Sequence, residues 1–242
     1  MNSVKSIRLK RMVFSSFLFF LFIQILFAQT PGNRTRSQDN KKKENVIKLG
    51  FTGGIDFINP ERVNDFIDYY INMQGTVVEK YGISKIKVGL GVTGYGSISL
   101  SERFEIRPSF YFFIAPKIIS IVGGSDLNVL LSALAPGCTF FLNFPVQDNF
   151  YFRVGGGPFY YFQSATFDYD EFGNDKLTGK KLGFHFHIGG DYYLDSNIGL
   201  SGDIVYRTVN NTDNVKSDNR KINYELDYTG FEIQGGLFLI LD

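Results

Sequence analysis

The chain has no tryptophan, one cysteine and two histidines among its 242 residues. A single thiol, Cys138, cannot close an internal disulfide, and it excludes a cysteine-built metal cluster. An excess of one charge is missing as well. Lys plus Arg number 25 against 24 Asp plus Glu, which excludes the bulk basicity of a nucleic-acid binder. Beyond the first thirty residues no apolar run approaches the roughly 20 residues that a membrane-spanning helix needs. What is abundant is Phe (26), Tyr (14) and Gly (26), a composition suited to crowded or sharply bent β-strands.

The amino terminus reads as targeting. Lys5, Arg8, Lys10 and Arg11 precede an apolar run from Val13 to Phe27, which ends at Ala28 before Gln29-Thr30-Pro31. Basic start, short apolar core and small residue are the order of a secretory signal peptide, assigned to residues 1–28, with an uncleaved anchor as the alternative. No cysteine follows the run, so a lipid-anchored terminus is not expected. Residues 29–45 hold Pro31, Gly32, Asn33, Ser37 and Lys41-Lys42-Lys43 and nothing to bury, so they read as a disordered polar linker.

From Val46 to the end, apolar and polar residues alternate with period two, the signature of strands. The clearest stretch is 181–194. Leu182, Phe184, Phe186, Ile188, Tyr192 and Leu194 share one face, and Lys181, His185, His187 and Asp191 the other. Asp195-Ser196-Asn197 then turns the chain into a second strand bearing Ile198, Leu200, Ile204 and Tyr206 opposite Ser201, Asp203 and Arg207. The same pattern predicts strands over 46–57, 85–100, 103–117, 129–144, 150–167 and 222–241, the last with a bulge near Thr229-Gly230 to restore register. Short turns follow strands two, four and six. The longer connections, 58–84, 118–128, 168–180 and 208–221, alternate with them.

Eight antiparallel strands with alternating short and long connections predict a closed up-and-down transmembrane β-barrel over 46–242. A soluble lipocalin-like ligand-binding barrel would show the same alternation with its faces reversed. The polar face favours the membrane barrel, with the soluble barrel kept as the alternative. It carries Gly50, Gly54, Gly89, Gly91, Gly155, Gly157, Gly183 and Gly189, and a crowded interior needs such small residues where a solvated surface does not. Aromatics toward strand ends, Phe104, Phe150, Tyr192, Tyr206, Tyr224 and Tyr228, sit where an interfacial girdle belongs.

The mature chain resembles the small eight-stranded outer-membrane barrels of the OmpA/OmpX type and the broad outer membrane protein β-barrel domain family. Gly236-Leu237-Phe238-Leu239-Ile240-Leu241 resembles the carboxy-terminal signal read by the barrel assembly machinery, although Asp242 stands where that family ends on an aromatic residue. The resemblance implies export to the outer membrane of a Gram-negative-type bacterium, with lipid as surroundings and the assembly machinery as a partner during biogenesis.

Candidate chemistry is sparse. Lys48, Glu105, Arg107, Arg153, Asp191, Asp203, Arg207 and Glu232 fall on the polar face and predict a structural ion network in the lumen. His185 and His187 share that face with Asp191, but a lipid-modifying barrel of the deacylase type would have Ser where His187 stands. No catalytic, cofactor or metal residues are assigned. Asn59, Pro60 and Glu61 start a helix over 60–73 with Val63, Phe66, Ile67, Tyr70 and Ile71 on one stripe. The acidic segment Asp168–Asp175 has calcium-like oxygens without the spacing of an EF-hand loop. The reading is a non-enzymatic envelope protein with a structural or surface-interaction role. Its long loops would make protein or ligand contacts, with no nucleic acid involved. A small pore, a secretion-assembly accessory and a lipid-modifying enzyme are the alternatives.

Overall fold

A computed structural model describes residues 46–73, 85–119, 126–169, 173–211, 216–217 and 225–241, all within one compact unit, Lys43–Asp242. The expected signal peptide and linker lie outside these residues. No described helix is long and apolar enough to cross a membrane. Eight strands carry the fold: β1 (Ile47–Ile58), β2 (Val88–Ser99), β3 (Phe104–Ile119), β4 (Leu127–Gln147), β5 (Phe150–Asp168), β6 (Asn174–Tyr193), β7 (Ile198–Thr208) and β8 (Gly230–Leu241), with α1 (Glu61–Met73) between β1 and β2. Each strand pairs antiparallel with its sequence neighbour, and β8 pairs with β1 from Ile47↔Leu241 to Ile58↔Gly230, so the sheet returns on itself.

The short turns are built for tightness. Asp195 accepts hydrogen bonds from the Asn197 and Ile198 amides at 2.7 and 2.8 Å, and Ser101 Oγ accepts from Arg103 and Phe104 at 3.3 and 3.2 Å. These turns share one end of the barrel with Ile47 and Leu241.

At the opposite end the wall is uneven. Strands β3 to β6 have 16, 21, 19 and 20 residues, whereas β1, β2, β7 and β8 have 11 or 12. The expected long connection 168–180 is therefore mostly strand: β5 runs to Asp168, β6 begins at Asn174, and Gly173 takes the positive φ of 92° between them. Polar outward residues such as Lys176, Thr178 and Lys180 hid this extension, because the apolar half of the alternation stops where the wall leaves the lipid. The last strand also differs from expectation. In place of one bulged strand over 222–241, Leu226–Asp227 pairs with Asn210–Asn211, the chain leaves the sheet at Tyr228 and Thr229, and β8 starts at Gly230.

Alternation sorts the two faces. Outward residues are large and apolar over the lower wall, with Phe110 66% exposed and Leu49, Phe51, Phe104, Phe186, Ile188, Leu237 and Leu239 likewise open. Inward positions carry the ionisable groups, Arg153 among them with no exposed surface. That arrangement overturns the lipocalin alternative, which needs the apolar face inside. On β6 the outward apolar run from Leu182 to Leu194 covers about 30 Å at a typical barrel tilt, enough for an outer-membrane hydrocarbon band. Soluble proteins do not expose continuous apolar surface on this scale. Tyr228 departs from its expected girdle position, being buried inside the barrel.

Candidate functional site

The interior divides into an ionic lower half and an apolar upper half. In the lower half Lys48 donates to Glu105 at 2.9 Å and to Asp191 at 3.0 Å. Arg107 donates to Glu105 through Nε at 3.0 Å and Nη2 at 2.6 Å, with Asp191 at 3.6 Å. Arg153 grips Asp203 with Nε (3.1 Å) and Nη2 (2.6 Å), donates to Ser201 at 2.6 Å, and contacts Asp191 through Nη1. Strands β1, β3, β5, β6 and β7 thus meet across the lumen through side chains alone.

Aromatic rings line the other side of these cations. Arg107 lies 4.1 Å from the Tyr95 ring and 4.6 Å from Phe141, and Lys48 sits over Tyr193 and Phe238 at 5.3 and 5.1 Å. A cation withdrawn from water is stabilised by a carboxylate and by the ring quadrupole together. The rings fit because glycines stand opposite them. A Cβ on Gly50 would strike Tyr95, and one on Gly199 would strike Phe238.

Above this layer Arg207 contacts Asp56, donates to Tyr111 Oη at 2.5 Å and to the Tyr228 carbonyl at 2.9 Å, and approaches Glu232 Oε2 at 3.6 Å. Tyr111 in turn donates to Asp56 at 2.7 Å. All eight residues singled out in the sequence lie inside, and Asp56 joins them. None of the nine is more than 4% exposed.

The histidines sit between the layers. His185 stacks on Phe159 at 3.7 Å and shares a hydrogen bond with Tyr161, while His187 packs edge-on against Phe141 at 5.3 Å. Asp191 is taken by three cations, so it is no ligand partner for them. Among the described residues no group of three His, Cys, Asp or Glu could hold a metal ion. Of the acidic segment, Asp168 and Asp175 flank the β5–β6 turn, and residues 170–172 lie outside the described ones.

The upper half is sealed by apolar packing. Helix α1 buries Val63 and Ile67 in one apolar cluster with Ile58, Phe113, Ile119 and Leu127, and Phe66 meets Phe167 edge-on at 4.8 Å. Asn64 fixes the helix to the approach to β2, accepting from the Ile86 amide at 2.7 Å and donating to its carbonyl at 3.2 Å. Segment 226–228 tucks in beside the helix. Its backbone carbonyls accept from Gln163 (3.1 Å) and Arg207, and Tyr228 Oη donates to the Ser164 carbonyl at 2.7 Å. Tyr70 and Ile71, the rest of the expected stripe, have side chains outside the described set.

The inward Tyr111, Phe113, Phe141, Phe159 and Tyr161 have the lumen parity of their strands but not its polarity, so the contrast between faces does not single them out. The available signal was the unbroken apolar runs Phe110–Ala115 and Pro158–Phe162, which mark strands covered on both faces.

No protein-family model and no curated protein matches the chain. Among solved structures it is similar to the outer membrane protein OprG from Pseudomonas aeruginosa, at 13% identity over 82% of this chain and 97% of that one, TM-score 0.49. It is also similar to Neisserial surface protein A, at 10% identity over 81% and 99%, TM-score 0.45. Ail from Yersinia pestis matches at 13% identity over 80% and 97%, TM-score 0.40. What makes this chain a membrane barrel is its own surface: apolar outside, ionic within, and paired edge to edge all the way round.

Proposed function

We propose that this is an exported outer-membrane envelope protein without enzymatic or channel activity, a sealed barrel that displays its outer rim. Residues 1–28 direct export, 29–45 form a polar lead-in, and the carboxy-terminal strand engages the assembly machinery. The ion network serves as structural fill for the lumen. The observation that carries this reading is the filled interior. Among the described residues nine ionisable side chains are buried in two layers of the lumen, and α1 with segment 226–228 closes the space above. A cavity among the lumen side chains measures only about 10 Å³, too little for a conducting path. The histidines are buried on the lumen side of the wall, away from lipid, which leaves a lipid substrate no approach to them.

The rim is the surface free to act. Over β4, β5 and β6 the wall rises past the apolar band with outward Asn128, Ser164, Thr166, Asp168, Lys176 and Lys180. These present a polar, hydrated sheet face where a soluble partner meets the membrane surface. Reconstitution in planar bilayers tests the proposal. The wild-type barrel is expected to give no steady single-channel current, and stable unitary currents would replace the sealed-barrel reading with a pore.

A further inference from the structure

We infer that the sealed lumen binds one proton on Glu232, bridged by a single water to His187, and that the folded barrel keeps this proton at neutral pH. The first ground is charge. Among the described residues four buried bases, Lys48, Arg107, Arg153 and Arg207, face five buried carboxyls, Asp56, Glu105, Asp191, Asp203 and Glu232. An unpaired charge enclosed away from water is expensive, and a bound proton removes it.

The second ground is where the surplus falls. Three bases and three carboxyls balance in the lower half. Above, Arg207 alone serves two carboxyls, and it serves them unequally. Asp56 takes the direct contact from Arg207 and the Tyr111 hydroxyl, whereas Glu232 Oε2 stays 3.6 Å from the guanidinium. Among the described residues Glu232 Oε1 is buried with no hydrogen-bond partner, and Arg207 Nη2 is likewise unpartnered without reaching it.

The third ground is the pocket. Glu232 Oε1 and Asp56 Oδ2 lie 2.5 and 2.6 Å from the point where a Gly91 Cβ would stand, and Oε1 lies 2.8 Å from the corresponding point on Gly54. Two carboxyl oxygens therefore share a space that exists only because both neighbours are glycine, and two like charges so placed do not both ionise.

The fourth ground is a matching orphan. Both ring nitrogens of His187 lack partners, the residue is 7% exposed, and it lines the same 10 Å³ cavity as Glu232. That volume is what one water needs, and a water there accepts from the Glu232 carboxylic O–H while donating to the unprotonated ring nitrogen of His187. The ionisable groups facing Glu232 are Asp56 from β1, Tyr95 from β2, Arg107 and Tyr111 from β3, Tyr161 from β5, His185 and His187 from β6, and Asp203 and Arg207 from β7. Only Arg107 and Arg207 among them are fixed cations, and Arg107 is committed to Glu105.

Infrared spectroscopy of the full barrel folded in lipid vesicles reads the proton directly. At neutral pH, where exposed carboxyls are ionised, the wild type is expected to show a carboxylic-acid C=O band that Glu232→Gln abolishes. A wild-type spectrum without that band would overturn the proposal. So would a band that survives Glu232→Gln and disappears in Asp56→Asn. Equilibrium unfolding gives a second reading. The folded state holds a proton that the unfolded glutamate has lost above about pH 5. Stability therefore falls as pH rises, about tenfold in the folded-to-unfolded ratio per pH unit more steeply than in Glu232→Gln. Equal slopes for the two proteins would also overturn it.

Discussion

Removing Arg153 is the sharpest perturbation of the lumen, because its partners are not equally dependent on it. Arg153→Met keeps much of the stem volume beside Phe141 but deletes the guanidinium that binds Asp191, Ser201 and Asp203. Breaking a buried ion pair from one side costs about 3–5 kcal/mol, chiefly through the carboxylate left behind. Asp191 keeps Lys48 at 3.0 Å and Arg107 at 3.6 Å. Among the described residues Asp203 keeps a single hydrogen bond, a 3.5 Å approach from the Gln234 amide. Most of the loss therefore sits on Asp203. Adding Asp203→Asn to Arg153→Met should restore roughly half of it or more, whereas Asp191→Asn should restore little and leave Lys48 with Glu105 as its one carboxylate contact. Urea titrations of protein folded into lipid vesicles, followed by the mobility difference between folded and unfolded barrel on a cold gel, give the four stabilities. A loss under about 1 kcal/mol for Arg153→Met would refute the reasoning, as that is the scale of an exposed pair. Equal rescue by the two asparagine variants would refute the assignment to Asp203.

Other consequences are open to test. Ile188 faces outward at the middle of the β6 apolar run, so Ile188→Arg should destabilise the folded barrel by about 2–4 kcal/mol and Ile188→Leu by almost nothing, measured by the same titration. Cys138 shares the outward face with Pro136 and Phe140, so in sealed vesicles a membrane-impermeant maleimide should leave it unlabelled while a lipid-soluble thiol reagent modifies it. Asn64→Ala strips both hydrogen bonds from the Ile86 backbone, at about 1–3 kcal/mol, and should raise protease cleavage near α1 before the strands unfold. Gly50→Val places a branched side chain against the Tyr95 ring and should block folding into vesicles, where Gly94→Ala, with no atom within 4 Å of its added carbon, should fold normally.

Parity along the strands was enough to tell lipid from lumen. Leu182, Phe184, Phe186 and Ile188 alternate with Gly183, His185, His187 and Gly189, and the two sets face opposite sides of the wall. The contrast between faces failed wherever both are apolar. Tyr111 and Phe113 share the parity of Glu105, Arg107 and Ser109 and do face inward, but in a run that is apolar on both sides residue type alone does not mark which side is the lumen. It failed again at Asn174–Lys181, where the outward face is polar because the wall stands clear of the membrane and Leu177 is the one large apolar residue on the inward face. The tuck at 226–228 was illegible for a different reason. Nothing local to Leu226 and Tyr228 indicates that Gln163 and Arg207, far away in sequence, accept the task of satisfying their carbonyls. Asp56 was visible on the polar face of its strand, yet its importance depends on Arg207, Tyr111 and Gly91, which only the closed ring brings together.

The two halves of the interior answer one constraint in different ways. Each inward position on a narrow barrel faces several others across the lumen, so whatever one strand offers must be met by side chains from strands far off in sequence. Near the short turns, where the wall has a single height, charged side chains from β1, β3, β5, β6 and β7 reach one another directly and interlock. Toward the rim, β1, β2, β7 and β8 end while β3 to β6 continue, so the inward face of the taller strands has no strand opposite it. Inward Ala115, Val129, Leu131, Ala165, Phe167 and Leu177 would stand open there. Connections from the short strands fill that gap: α1 between β1 and β2, and segment 226–228 between β7 and β8. Both come from the side of the barrel where the wall is missing. The helix is amphipathic because one of its faces replaces the absent strands, and the other, with Arg62 paired to Glu225 at 3.5 Å, meets water. The seal is thus a consequence of the unequal strand lengths, and shortening β4 and β5 by their upper turns would leave α1 without the surface it covers.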